Sequence, residues 1–303
     1  MKLLYACFLL LSVSSWAGIV EDVRASIAAK NFSGGQKLVA DYQKAKGTTG
    51  ELALAASWLG RGALALKDYD QAEKFATDAG KLVFTALGKR RLDEDPFLPT
   101  ALGAVIEVHA QVMKGRGEGA AAVEYLKGEL KTYGKTSIAE RISKNINLIS
   151  LEGKPAPELE QAEWLGPKPR TIASLKGHPV LLFFWAHWCP DCKAMAPMIS
   201  KLMLKYGPQG LALMGPTRYY GYVSNGDEAP PAQEKVYMEQ VRQKYYAPLA
   251  AMPAPLSNNN FITYGSSSTP TLALVDAQGI VRWYHPGAAT EAELEAKILQ
   301  VLH

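Results

Sequence analysis

The sequence has few cysteines, little excess charge and no low-complexity tract. It contains three cysteines in 303 residues, which is too few for a fold held together mainly by disulfides. The formal net charge is +4, with the basic residues spread along the chain, so we expect no nucleic-acid partner and no polybasic membrane patch. There is no glycine-rich phosphate loop, and no cofactor is expected. These absences favour a globular protein whose chemistry resides in its own side chains.

The first apolar run of the chain is short and lies at its N-terminus. Residues 3–13 follow Lys2 and are too few to cross a bilayer. Small residues, Ser15 and Ala17, then precede Gly18, a pattern typical of a secretory signal with cleavage after Ala17. We therefore expect residues 1–17 to be removed and the mature protein to reside in the periplasm, without stable membrane insertion.

Removal of the signal would change the cysteine count. Cys7 would be lost, which leaves Cys189 and Cys192. Zinc usually requires four nitrogen or sulfur ligands, so no metal site is expected, although copper(I) could bind two thiolates. A disulfide that closes a four-residue loop constrains the unfolded chain little. The pair is therefore interpreted as chemical and not structural.

Composition and the spacing of apolar residues divide the chain into two predicted domains. Residues 18–150 are rich in alanine, with apolar residues at three- and four-residue spacing, which predicts an all-α region. Residues 58–79 resemble a tetratricopeptide-type helical hairpin, although an irregular helical bundle fits nearly as well. A proline-rich break at residues 153–159 predicts the boundary. We expect a tetratricopeptide-like domain at 18–150 and an α/β domain at 151–303.

The second domain alternates strand-like and helix-like patterns. The apolar run at residues 180–185 predicts a buried central strand. A closing amphipathic helix is expected at residues 291–302. Further strands, and a hairpin turn between the last two, are predicted at residues 211–214, 271–275 and 280–284, with the turn at 276–279.

Two cysteines three residues apart stand where a strand delivers the chain to a helix. Pro190 would occupy the first helical position, where its missing N–H costs nothing. The free amides and the helix dipole would favour a thiolate at Cys189. Cys192 would face the same side of the helix. Cys189 could then attack a substrate disulfide, and Cys192 could resolve the mixed disulfide.

The residues around this pair resemble the thioredoxin superfamily. Residues 184–193, Phe-Trp-Ala-His-Trp-Cys-Pro-Asp-Cys-Lys, resemble its active-site segment. Pro197 matches the proline that kinks the following helix, and residues 268–271 resemble the cis-proline segment. Residues 153–157 and 175–177 are similar to the entry of the exported TlpA/ResA-like branch, which serves thiol reduction and cytochrome c maturation. The resemblance covers roughly the last half of the chain.

The resemblance implies a thioredoxin-like fold and a thiol–disulfide oxidoreductase. Its implied partners are protein disulfide or thiol substrates and an upstream electron donor. The site residues implied are the catalytic Cys189 and Cys192, the substrate-binding Trp188, Thr269 and Pro270, and the tuning residues Pro190 and Asp191.

Two departures from the family pattern stand out. Phe183 occupies the position at which thioredoxins carry a buried aspartate that handles the proton of the second thiol. In addition, the chain between the cysteines and Pro270 is far longer than in a minimal thioredoxin and contains a tyrosine-rich insertion at about residues 215–268. The insertion could shape a substrate surface, or its tyrosines could pack an added helix at about residues 233–246 onto the sheet.

Asp191 indicates whether the protein reduces or forms disulfides. A carboxylate between the cysteines would repel a Cys189 thiolate, whereas strong oxidants need a stabilised thiolate. A reductase or isomerase is therefore favoured over a disulfide-forming oxidase. Two alternatives stay open: a thioredoxin-fold peroxidase, and a helical-repeat protein that binds partners and uses the redox domain as a scaffold.

Overall fold

The computed structural model describes residues 18–302. The predicted secretory signal lies outside these residues. The described chain divides into two compact units between Val108 and His109, inside helix α5 (Leu98–Gly115). Each unit is considered by itself, and the domain boundary near residue 150 stays a prediction.

The first unit consists of helices, as its alanine-rich pattern predicts. The side chains of Asn31, Thr49 and Asp68 each accept a backbone N–H three residues later and so begin three of these helices. The helices before α5 are α1 (Ile19–Ala28), α2 (Phe32–Lys46), α3 (Gly50–Ala65) and α4 (Tyr69–Leu87).

Helices α3 and α4 form the predicted helical hairpin and pack against each other. Small side chains at their contact allow a close approach, because Ala56, Ala63, Ala76 and Ala79 are all buried. The helical architecture is confirmed, whereas kinship with tetratricopeptide repeats stays a prediction.

The second unit begins inside α5, continues with α6 (Gly119–Tyr133) and α7 (Ala139–Ser150), and then becomes α/β. No helix within residues 18–302 is long and apolar enough to span a membrane. The remaining elements are β1 (Trp164–Leu165), β2 (Val180–Phe184), α8 (Pro190–Tyr206), β3 (Ala212–Met214), α9 (Pro231–Tyr245), β4 (Ala254–Pro255), α10 (Asn258–Tyr264), β5 (Thr271–Val275), β6 (Val281–Pro286) and α11 (Glu291–Val301).

A four-stranded sheet with the order β3-β2-β5-β6 forms the centre of this unit. Strand β2 is parallel to β3 and antiparallel to β5, and β5 is antiparallel to β6. Phe184 at the end of β2 pairs with Thr271 at the start of β5. This register brings the segment after β2, which contains the cysteines, next to the segment before β5, which contains Pro270.

Successive residues of β2 face opposite sides of the sheet, and both sides are buried. Leu181 and Phe183 belong to a core shared with α8, α9 and α11, while Leu182 and Phe184 belong to a core shared with α10. A strand buried on both faces requires an uninterrupted apolar run, which explains why residues 180–185 were recognisable in the sequence.

The four strands predicted from the sequence are all present, with small shifts at their ends. Strand β2 ends one residue earlier than expected, and β6 continues to Pro286. Strands β1 and β4, which form a separate two-stranded sheet, were not predicted, because two residues are too short to show an alternating pattern.

Candidate active site

The two cysteines lie at the N-terminus of α8 and are joined by a disulfide. Cys189 is the N-cap residue, and Pro190 is the first residue of the helix. The Cys189 Sγ accepts the backbone N–H of Cys192 at 3.1 Å. A sulfur that receives an amide proton at the positive end of a helix is favoured as a thiolate once the disulfide is reduced. The site therefore has the geometry that the sequence predicted for an attacking thiol.

The segment before β5 lies directly against this sulfur. The Cys189 Sγ is 3.4 Å from the carbonyl oxygen of Thr269, and the Thr269–Pro270 peptide bond is cis. Pro270 is buried, and the Thr269 Oγ1 is one of four buried side-chain polar atoms that lack a hydrogen-bond partner within residues 18–302. Residues 80 positions apart thus form one site, because β2 and β5 are paired.

Trp188 is the exposed aromatic residue next to the cysteines. Its side chain is 44% exposed, while Cys189 retains 1% exposure and Cys192 none. The Trp188 ring stands edge-on to Tyr220, with 5.6 Å between ring centroids. Pro190 and Asp191 are exposed in the first turn of α8. All seven site residues predicted from the sequence therefore lie around one end of α8, while the role of each stays a prediction.

Phe183, the residue at the position of the missing acid, is part of the apolar core. It is fully buried and pairs with Leu272 across the sheet. Its ring contacts that of Tyr246, with 6.4 Å between centroids. A proton acceptor for the second thiol is therefore absent from this position, as the sequence indicates.

A buried pair of ionisable residues next to the cysteines was not predicted. His187 Nε2 lies 3.2 Å from Glu234 Oε1, and the two side chains are 1% and 0% exposed. Glu234 also accepts the backbone N–H groups of Tyr220 at 2.6 Å and Gly221 at 2.9 Å. In the sequence, His187 is one residue of the active-site segment at 184–193 and has no predicted role of its own. No sequence pattern links it to Glu234, which is 47 positions away.

Three tyrosine rings enclose the imidazole. Tyr220, Tyr222 and Tyr237 stand edge-on to His187 at centroid distances of 5.5, 5.3 and 5.4 Å. Burial lowers the pKa of His187, Glu234 opposes this shift, and the charge of Lys193 adds to it. The net lowering keeps the imidazole neutral at pH 7, since an unperturbed histidine already titrates near 6.5.

The insertion provides both the helix and the aromatic packing that the sequence indicates. The expected added helix is α9, and Tyr246 at its end is fully buried. The Tyr246 ring packs on Trp185 with 4.7 Å between centroids. These tyrosines fix the segment that leads to the cysteines, while a substrate surface on the insertion stays a prediction.

The described residues offer few side chains for a metal ion. Between residues 18 and 302, no group of three or more His, Cys, Asp or Glu side chains could hold one. Cys189 and Cys192 are bonded to each other, and the nearby His187 faces Glu234.

Comparison with known proteins identifies relatives that share this part of the chain. The family described as "Thioredoxin-like domain" matches residues 170–302. The thiol:disulfide interchange protein DsbE of Xylella fastidiosa is 30% identical over 154 residues, which cover 50% of this chain and 70% of that protein. The thiol-disulfide oxidoreductase ResA of Bacillus thuringiensis is 28% identical over 151 residues, which cover 49% and 78%.

Among solved structures, a thiol:disulfide interchange protein of the thioredoxin family from Chlorobium tepidum covers 50% of this chain and 97% of its own, with 21% identity and a TM-score of 0.36. The residues that match the thioredoxin-like family, 170–302, contain the Cys189–Cys192 pair, the four-stranded sheet and the segment at Pro270. The chain therefore belongs to the thioredoxin-like thiol:disulfide oxidoreductases that include DsbE and ResA.

Proposed function

We propose that this protein is a periplasmic reductase of disulfides in partner proteins, with Cys189 as the attacking thiol. The observation that carries the proposal is the position of the Cys189 Sγ, which accepts an amide proton at the N-terminus of α8 and lies 3.4 Å from the Thr269 carbonyl. The sulfur thus combines thiolate stabilisation with a neighbouring backbone edge to which a substrate can align. The signal-like N-terminus supports export.

The reaction proceeds in two exchanges. In the reduced protein, the Cys189 thiolate attacks one sulfur of the partner disulfide, and the other partner sulfur leaves as a thiolate. Cys192 then loses its proton and attacks the Cys189 Sγ. This attack releases the partner as a dithiol and leaves the Cys189–Cys192 disulfide. An upstream dithiol donor returns the protein to the reduced form.

The substrate would lie across the exposed face of the site. Pro270 has no N–H and leaves the backbone of Thr269 to pair with an extended substrate segment. The exposed ring of Trp188 would contact the substrate on the other side of Cys189. Pro190 fixes the first turn of α8, and Asp191 contributes a carboxylate that opposes the thiolate.

Asp191 also supports the reductive direction. Its exposed carboxylate lies between the two cysteines and acts against the strongly stabilised thiolate that an oxidant requires. The direction is tested by equilibrating the mature protein in glutathione or dithiothreitol buffers and counting the thiols that can be alkylated. We expect a reduction potential near that of thioredoxin, about −270 mV, whereas a value near about −120 mV would identify a disulfide donor.

The exchange itself is tested by trapping. Cys192→Ser removes the resolving thiol, so reduced protein mixed with a disulfide-containing partner should accumulate a mixed disulfide visible on a non-reducing gel. Cys189→Ser is the matched control and should trap nothing. If Cys189→Ser traps partners as well as Cys192→Ser does, the assignment of the attacking thiol is wrong. Consumption of hydrogen peroxide dependent on Cys189 would instead favour the peroxidase alternative.

A further inference from the structure

The buried His187–Glu234 pair lies beside the redox site, and no step of the exchange uses it. We infer that this pair is a positioning element: it fixes the loop that carries Cys189 and holds a negative charge near it, which disfavours the Cys189 thiolate. The inference rests on the proposed reductase function, because a weakly stabilised Cys189 thiolate is useful to a protein that donates electrons.

The loop between β2 and α8 is bonded to the insertion on several sides. The backbone N–H of Trp185 donates to Pro216 O at 3.1 Å, and its indole donates to Gly215 O at 2.9 Å. Thr217 Oγ1 donates to the Trp185 carbonyl at 2.9 Å. The contact between His187 and Glu234 extends this set to within two residues of Cys189. The position of the attacking sulfur therefore depends on α9, an element outside the minimal thioredoxin pattern.

The pair carries an uncompensated charge. The Glu234 oxygens accept the N–H groups of Tyr220 and Gly221 and lie against the His187 ring, so the hydrogen-bond partners of this carboxylate are two neutral amides and an imidazole. Burial keeps His187 neutral, so one negative charge remains in a site with almost no access to water.

Few groups around the pair can cancel that charge. The rings that enclose the imidazole are those of Tyr220 and Tyr222 from the insertion loop and Tyr237 from α9, and a phenol side chain supplies no positive charge. Lys193 of α8 acts on His187, and its ammonium lies 4.7 Å from the ring centre of Tyr245. The guanidinium of Arg218 lies 5.2 Å from the ring centre of Tyr220 and is paired with Glu140. The negative charge of Glu234 is therefore only partly offset.

The charge acts against the helix N-terminus. The amide of Cys192 and the helix dipole lower the pKa of Cys189, whereas a nearby buried carboxylate raises it. When the Cys189 thiolate is weakly stabilised, the reduced form of the protein is less stable relative to the disulfide form. The protein then donates electrons more readily. Glu234 would thus act in the same direction as Asp191, from the buried side of the site.

The test is the pH dependence of Cys189 alkylation in the reduced, full-length mature protein. Glu234→Gln removes the charge and keeps the size of the side chain. We expect the Cys189 pKa to fall by about one unit and the alkylation rate at pH 6 to rise roughly three- to tenfold. Glu234→Asp retains the charge and should keep a pKa close to that of the wild type. Glu228→Gln removes an exposed charge from the same insertion and is the matched control, without a shift.

The inference is overturned if Glu234→Gln leaves the pKa unchanged, or if Glu234→Asp lowers it as much as Glu234→Gln does, because either result would indicate packing alone. If neither variant folds, the wild-type protein decides, since the inference requires its Cys189 pKa to be about 7 or higher despite the helix N-terminus. Failure of the proposed function is separate: it would appear as an oxidising potential of the wild-type protein, whatever the Glu234 variants do.

Discussion

Two buried carboxylates, one in the β5–β6 hairpin and one in the insertion, share a hydrogen-bond pattern but differ in their third partner. Asp276 accepts the backbone N–H groups of Gln278 at 2.9 Å and Ile280 at 2.8 Å, and Arg282 Nε at 2.5 Å. Glu234 likewise accepts two backbone N–H groups, but its third donor is the ring of His187.

The third partner decides what each carboxylate does. Arg282 is permanently charged and its side chain is 51% exposed, so the Asp276 pair is neutral overall. Burial acts to raise the pKa of Asp276, but the Ile280 amide and Arg282 outweigh it and hold that pKa below its ordinary value. Histidine loses its proton on burial. The same geometry therefore stabilises a turn in the hairpin and stores a charge beside the cysteines.

Replacing each carboxylate by alanine should reveal the largest difference between the two regions, in the free energy of unfolding. Glu234→Ala removes a fully buried carboxylate and leaves the buried His187 ring, together with the amides of Tyr220 and Gly221, without this acceptor, and we expect a loss of about 3–5 kcal/mol. Asp276→Ala exposes its turn to water, which can replace the lost bonds, so a loss of about 1–2 kcal/mol is expected. Urea unfolding of the oxidised proteins measures both. Equal losses would show that the two carboxylates have the same role.

The two regions should also titrate in different pH ranges. The folded-state pKa of His187 is lowered by burial, so the unfolded chain binds a proton more readily, and stability decreases as the pH falls below about 6.5. The lowered pKa of Asp276 gives stability that is present above its unfolded value of about 3.9 and is lost as the pH falls through the folded value.

Unfolding free energies measured between pH 3 and pH 8 check this difference. We expect His187→Gln to flatten the profile between about pH 5 and 7 without changing it near pH 3. Asp276→Asn should do the reverse. A His187→Gln profile that runs parallel to the wild type above pH 5 would contradict a lowered pKa of His187.

The smallest effect is expected from Asp276→Asn on catalysis. Because this carboxylate is paired with Arg282, its replacement should leave the rate of disulfide exchange within about twofold of the wild type. The rate of insulin reduction by dithiothreitol, catalysed by each variant, is the measurement. A loss above about tenfold, with the fold intact, would mean that the hairpin contributes to the site.

Local patterns explain which parts of the fold could be predicted. The run at residues 180–185 identified β2 because both of its faces are buried, and Cys189-Pro190 identified the start of α8 because proline suits the first helical turn. Strands β1 and β4 have no such pattern. The helical nature of residues 19–28 and 32–46 followed from spacing and composition, but their relation to a known repeat did not.

The residues of the candidate site likewise divide into those that the sequence predicts and those that it does not. Cys189 and Cys192 are adjacent in sequence, and their spacing alone indicates redox chemistry. Thr269 and Pro270 were placed by resemblance, and the pairing of β2 with β5 brings them to the sulfur. Glu234 could not be foreseen, because an acidic residue in the first turn of a helix is common and usually faces water.

The sequence by itself determined the redox pair, the helix that it begins and the apolar strand that leads to it, because each of these depends on residues within one turn or one strand. The tertiary structure alone decided that His187 and Glu234, 47 positions apart, would meet out of reach of water. The reason is that burial and charge pairing depend on how elements pack together, and here α9 of the insertion packs against the loop before Cys189.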